Sequence, residues 1–210
     1  MKPKKEMIIV IPGSKYLSSP LKPIESLIVF LYSLVNISNP IHTNYAKKYV
    51  KAFKQKNRKI IFLNWNQGFT PFSVLFSGRR KLKQLIDKYK DDYQIILIGL
   101  SLGGEIALKT AKKFDDKTID KIILICSTNT NKKISFKNIK IINIYSVYDL
   151  FVRISTKILA PIHGGIELKG KNTINIPIKD FGHDDFCRNK KIKSGKYKDK
   201  TITQLIKSFL

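Results

Sequence analysis

Cysteine is scarce: the chain of 210 residues has two, Cys126 and Cys187. Cys126 ends an apolar run, Cys187 falls in a charged C-terminal stretch, and neither has a CxxC partner. That pattern excludes a disulfide framework and a cysteine-built metal site. Acidic residues are also few, 15 Asp and Glu against 40 Lys and Arg, which leaves a net charge of +25. So large a positive charge raises nucleic acid or an anionic membrane surface as a partner. The aromatics do not interleave with the basic residues as a stacking platform requires, so nucleic acid is not expected. The lysines are scattered, and isoleucine and asparagine are abundant with them, as in a chain encoded by AT-rich DNA. Composition alone therefore accounts for the charge, with an anionic membrane surface left open beside it.

Long hydrophobic runs are missing too. LIVFLYSLV (Leu27–Val35) is about half of the roughly 20 residues that a spanning helix needs. The start, MKPKKEMIIVIPG, has the lysines of a signal peptide, but its apolar stretch is short and no small-residue cleavage site follows. The expectation is a soluble, cytoplasmic protein. Gly13-Ser14-Lys15 lacks the upstream glycine of a phosphate-binding Walker A loop. Neither a nucleotide cofactor nor a metal is expected.

What is present is a regular alternation. At 43% hydrophobic residues the chain can build a packed core, and its length suits one domain over residues 1–210. Short β-branched runs predict strands at Met7–Ile11, Lys59–Trp65, Gln94–Gly99, Lys121–Ser127, Lys140–Ser146 and Thr173–Ile178. Helices are predicted at Asn44–Lys56, Gly78–Lys90, Gly103–Phe114 and Thr201–Phe209. Leu82, Leu85, Ile86 and Tyr89 recur at spacings of three and four, an apolar stripe with lysines opposite. Near-continuous aliphatic strands are covered on both faces. The reading is an α/β protein, a three-layer α/β/α sandwich around a mainly parallel sheet of about six strands. Residues 14–43 and 151–171 fall outside the alternation and read as insertions able to cover a pocket.

One stretch asks for a chemical explanation. In IILIGLSLGGEIAL, Ser101 sits between a predicted strand and a predicted helix, with Gly99 two residues before it and Gly103 two after. This is G-x-S-x-G, the nucleophile elbow. A serine on so sharp a turn is crowded by strand and helix, and glycines at those positions relieve the crowding while the hydroxyl stays exposed. The N–H of Leu102 then lies at the positive end of the helix, where an oxyanion would form. The plain alternative is a glycine-rich turn with a serine cap.

A nucleophilic serine needs a base, and the base an orienting acid. The chain has three histidines. His42 precedes the serine, while His163 and His183 follow it. In the order Ser, Asp, His, both partners belong after strands, at the end of the sheet where an α/β site assembles. Asp149 follows the strand KIINIYS, in SVYDLFV. His183 follows the last strand, in KDFGHDDF, and is the expected base, although a solvated loop histidine beside Asp184 and Asp185 is the bland reading. His163, in PIHGG, precedes the last strand and reads as a loop or substrate-contact residue. Asp91, Asp92, Asp115 and Asp116 lie at helix ends and read as solvated.

From its first strand to its last helix the chain resembles the α/β-hydrolases, and among them the small lipases and esterases with a minimal six-stranded core. GLSLGG is similar to the elbow of that group, YSVYDLFV to its acid turn and DFGH to its histidine turn. The resemblance implies Ser101 as nucleophile, Asp149 as acid and His183 as base. It also implies a second oxyanion donor after the first strand, in Ile11-Pro12-Gly13-Ser14, where the backbone N–H of Ser14 matches. The histidine usual in that loop is absent.

The expected chemistry is hydrolysis of a carboxylic ester by way of an acyl-enzyme. A thioesterase or protein deacylase uses the same triad, and a non-catalytic basic module for anionic lipid or nucleic acid is the alternative of another class. The apolar segments Ser14–Thr43 and Phe69–Phe76 follow strands. They either wall an acyl pocket or complete the core.

Overall fold

Aliphatic runs form the strands β1 (Lys5–Ile11), β2 (Arg58–Phe62), β3 (Tyr93–Leu100), β4 (Ile119–Ile125), β5 (Lys140–Ser146) and β6 (Thr173–Ile178). In the computed structural model the described residues are 4–13, 48–65, 71–115, 117–127, 136–148, 167–188 and 190–210. The strands build one six-stranded sheet in the order β2-β1-β3-β4-β5-β6, and every ladder is parallel.

Alternation along the strands explains the layers. Ile8 and Val10 of β1 and Ile96 and Ile98 of β3 point to one face, where they meet Tyr49, Phe53, Ile202, Leu205 and Ile206. Met7, Ile9, Ile95 and Leu97 point to the other, against Leu82, Ile86, Ile106 and Ala107. Because both faces are covered, the strands read as nearly continuous aliphatic runs; buried Asn143 of β5 is an exception and donates to Asn175 Oδ1 of β6 at 2.9 Å. The covering helices are α1 (Pro71–Tyr89) and α2 (Leu102–Ala111) on the second face. On the first lie the helical residues 48–53 and α3 (Ile202–Lys207), whose N-cap Thr201 accepts the N–H of Gln204. The predicted three-layer sandwich is the observed one.

Most element boundaries differ from the sequence reading by one to three residues, and one differs by more. The second helix begins at Pro71 rather than Gly78. Proline suits the first helical position, where its missing N–H costs nothing. Gly78 is instead interior, where a Cβ would lie 2.6 Å from Ile106 Cδ1, so the glycine lets α1 close on α2. The predicted apolar wall Phe69–Phe76 thus runs into this helix, and Phe76 is 69% exposed. β4 stops at Ile125 because Cys126 turns the chain with φ 40°. Cys187 is not in an open loop but buried in a 3-10 helix, His183–Cys187.

The chain leaves β1 for β2 on one side and returns to β3 on the other. Strand order therefore reverses between β1 and β3, and in an open parallel sheet the crevice beyond the carboxyl ends at such a point is where ligands bind.

Candidate active site

At the tip of β3 the backbone turns into α2 through one residue, Ser101, whose φ and ψ are 48° and −123°. A non-glycine residue at positive φ carries strain of order 1–3 kcal/mol and persists only where its surroundings over-determine it. The surroundings here are specific. Ser101 N–H donates to Ile125 O at 2.9 Å, and Ser101 O accepts from Gly104 N at 3.0 Å and from Ser127 Oγ at 3.1 Å.

A serine that merely capped the helix would have extended backbone angles, and its Oγ would accept an N–H of the first turn. Ser101 does neither: its side chain makes no capping hydrogen bond. The cap reading is excluded. Ser101 is buried, at 6% exposed, and not exposed as the sequence reading has it, because Gly13 and the tip of β4 close on it.

The flanking glycines are demanded by backbone, not by loose packing. A Cβ on Gly99 would lie 2.5 Å from Gly104 Cα, and one on Gly103 would lie 2.3 Å from Ile11 O. Neither neighbour can rotate away. Across the switch point, a Cβ on Gly13 would come 2.9 Å from Ser101 Cβ and 3.6 Å from Ser101 Oγ. Gly13, just after β1, therefore lies directly against the serine. Leu102 opens α2, so its N–H is among those with no partner inside the helix and stands at the positive end of the dipole. Glu105, buried in the first turn, pairs with Lys109 Nζ at 2.7 Å.

The next two strand ends are tied together. Ser146 closes β5, and its buried hydroxyl donates to Phe181 O beyond β6 and accepts the N–H of Tyr148 at 3.1 Å. The turn after Phe181 is fixed from both sides. Phe181 and Phe186 are buried and pack edge to face, with centroids 5.3 Å apart. Asp185 Oδ2 accepts Gly182 N–H at 2.9 Å and Lys190 Nζ at 2.7 Å. Burial alone would raise the Asp185 carboxyl, but Lys190, the Gly182 N–H and Arg188 outweigh it and hold it below its ordinary value.

Of the residues expected from sequence, Gly99, Ser101, Leu102 and Gly103 come together at the tip of β3. His183 opens the 3-10 helix after β6, and its backbone alone is described. Ser14, His42, Asp149 and His163 lie outside the described residues, as do 14–43 and most of 151–171. Sequence reasoning missed Ser127 and Ser146, whose partners lie on other strands. One signal was available for Ser127: the elbow motif explains Gly99 and Gly103 but leaves Gly104 without a reason.

No family model matches the chain, and no curated protein sequence does. Solved structures do. An uncharacterized protein from Bacillus cereus superposes with a TM-score of 0.50 at 13% identity, covering 100% of this chain and 60% of that one. An α/β-hydrolase enzyme from a Medee basin deep-sea metagenome library gives 0.49 at 14%, covering 90% and 74%. Another, from lagoon sediments of Mar Chica in Morocco, gives 0.47 at 15%, covering 89% and 85%. What decides the fold is internal: the parallel order β2-β1-β3-β4-β5-β6 with a strained serine between β3 and a helix. The chain has the α/β-hydrolase fold. In an α/β-hydrolase fold the elbow stands above the carboxyl edge of the sheet. Gly13, Ser101, Tyr148 and the backbone of His183 all follow the carboxyl ends of parallel strands.

Proposed function

We propose that the protein is a serine hydrolase that cleaves carboxylic esters, with Ser101 as nucleophile, His183 as base and Asp149 as the acid that orients it. The observation that carries this reading is the backbone of Ser101, at φ 48° and ψ −123° with a hydroxyl not spent on capping. Strain of this kind clusters at functional sites, where it holds a side chain that a relaxed turn would redirect.

In the proposed reaction Ser101 Oγ attacks the ester carbonyl carbon while His183 takes the hydroxyl proton. The carbonyl π electrons move to oxygen, and the N–H groups of Leu102 and Ser14 hold the oxyanion. On collapse the C–O bond breaks, and the alcohol leaves with the proton from His183. Water then attacks the acyl-serine, again losing a proton to His183, and the acid is released with Ser101 regenerated. Asp149 stays ionised and keeps the imidazole in the required tautomer.

A fluorophosphonate probe with mass-spectrometric location of the adduct tests the assignment directly. Labelling confined to Ser101, with turnover of a graded panel of esters and thioesters, is the expected result. A chain that neither labels nor turns over any member sinks the hydrolase reading and leaves a binding module on this fold.

A further inference from the structure

The third glycine of the elbow and the residue after β4 belong to one device. Ser127 is buried, and its Oγ donates to Ser101 O at 3.1 Å. Gly104 is glycine because of that side chain: a Cβ there would lie 2.0 Å from Ser127 Oγ and 2.5 Å from Ser127 Cβ. Ser127 is also aimed by strain. The residue before it, Cys126, has φ 40°, and Cys126 N–H is fastened to Ile144 O at 2.9 Å. Two non-glycine residues at positive φ thus stand at the tips of neighbouring strands, β3 and β4.

The carbonyl that Ser127 holds is half of a peptide group. A peptide unit is planar and trans, so the C=O of Ser101 and the N–H of Leu102 point in opposite directions. Fixing one fixes the other. We propose that Ser127 is a positioning residue for the oxyanion hole: by pinning the Ser101 carbonyl it aims the Leu102 N–H at the developing negative charge. A hydrogen bond accepted by the carbonyl also polarises the peptide and strengthens its N–H as a donor. Gly104 N–H, at 3.0 Å from the same oxygen, holds it from within the helix, and Ser127 holds it from the tip of the neighbouring strand. The inference rests on the reading of Ser101 as nucleophile, and it assigns work to a residue that no triad contains.

The test separates turnover from folding. Wild type and Ser127→Ala are compared on a soluble short-chain nitrophenyl ester, with active sites counted by fluorophosphonate labelling. Loss of a whole oxyanion donor costs about 10²–10³ in kcat, so misaiming one is expected to lower kcat per labelled site by about ten- to a hundredfold, with KM within about twofold. A hydroxyl that only stabilises the fold would lower the number of labelled sites and leave turnover per site intact. A kcat within about twofold of wild type therefore overturns the proposal. The direction of the Leu102 N–H is read without any substrate from its amide residual dipolar coupling. That coupling is expected to change in Ser127→Ala while those of Leu97 and Ile98 do not, and an unchanged value overturns the proposal too. If the wild type neither labels nor turns over any ester or thioester, the nucleophile reading fails, and the dipolar coupling still decides the role of Ser127. Should Ser127→Ala not fold, Ser127→Cys, similar in shape with a weaker donor, takes its place in both measurements with a smaller expected change in each.

Discussion

The hydroxyl of Ser146 donates to the carbonyl of Phe181, so a side chain at the end of β5 holds the backbone that leads out of β6. The same oxygen accepts the N–H of Tyr148. One atom therefore sets the spacing between the turn that runs toward Asp149 and the turn that opens at His183. On the proposed reading these two loops present an acid to a base, and Ser146 gives them a common reference point that neither obtains from its own sequence.

Ser101→Ala is expected to abolish labelling and to reduce ester hydrolysis by about 10³-fold or more. Its unfolding midpoint in urea should stay at that of the wild type, because the Ser101 side chain makes no capping hydrogen bond for the substitution to remove. A variant that keeps most of its turnover would refute the nucleophile.

His183→Ala should match that loss in kcat, while His163→Ala and His42→Ala should cost far less. Asp149→Asn is expected to fall between, since the acid orients and stabilises the base without transferring the proton itself. Inactivity of His163→Ala with a working His183→Ala would move the base to the segment before β6.

The elbow glycines should differ in whether they can be rescued. A methyl on Gly103 meets the carbonyl of Ile11, and one on Gly104 meets the side chain of Ser127. Overpacking of this kind costs typically about 1–3 kcal/mol, and more against a backbone that cannot move. In a double-mutant cycle, Gly104→Ala combined with Ser127→Gly should lose less stability than the sum of the two changes. Gly103→Ala with Ser127→Gly should be additive. Additivity in both pairs would mean that Gly104 is not shaped by Ser127.

The layout of the sheet was legible in the sequence because strands buried on both faces are nearly all aliphatic. β5 and β6 were read to the residue, and Ser101 was found from Gly99 and Gly103. Legibility ended where contact depends on how one strand is staggered against another. Nothing near Ser127 in the sequence announces that its oxygen meets Ser101 O, and nothing near Ser146 announces Phe181. The start of α1 was missed for a different reason: Gly78 reads as a boundary when only its local propensity is weighed, and its packing against Ile106 appears only in three dimensions. Asp185 entered the sequence reading only as a neighbour of His183, yet its carboxylate holds the turn in which that histidine sits.

That carboxylate gives the turn a pH dependence with a definite sign. The folded Asp185 group lies below its ordinary 3.8: burial pushes it up, but Lys190 and the Gly182 N–H push it further down. A lowered folded pKa contributes stability above the ordinary value, and that contribution is lost as pH falls through it toward the folded one. The difference in urea midpoint between wild type and Asp185→Asn should be greatest above about pH 5 and should close as the pH falls below about 4. A difference that stays constant over this range would mean the carboxylate is not held by these partners.

Strain at Ser101 has a consequence for the history of each molecule. The contacts that hold its backbone, from Ile125 and Ser127, come from parts of the chain made after the serine, and Phe181 is made later still. A nascent chain that ends before β4 carries the serine but lacks what bends it, so its turn is free to relax into an ordinary, inert one. Parallel pairing between distant segments, such as Ile11 with Gly99, is also slow to form. If Ser101 is the nucleophile, its reactivity is expected to be the last property acquired on refolding and the first lost on unfolding. Probe labelling should lag behind burial of Trp65, followed by its fluorescence, and simultaneous recovery of the two would contradict this order. On the proposed reading, a half-folded copy carries the serine without its reactivity.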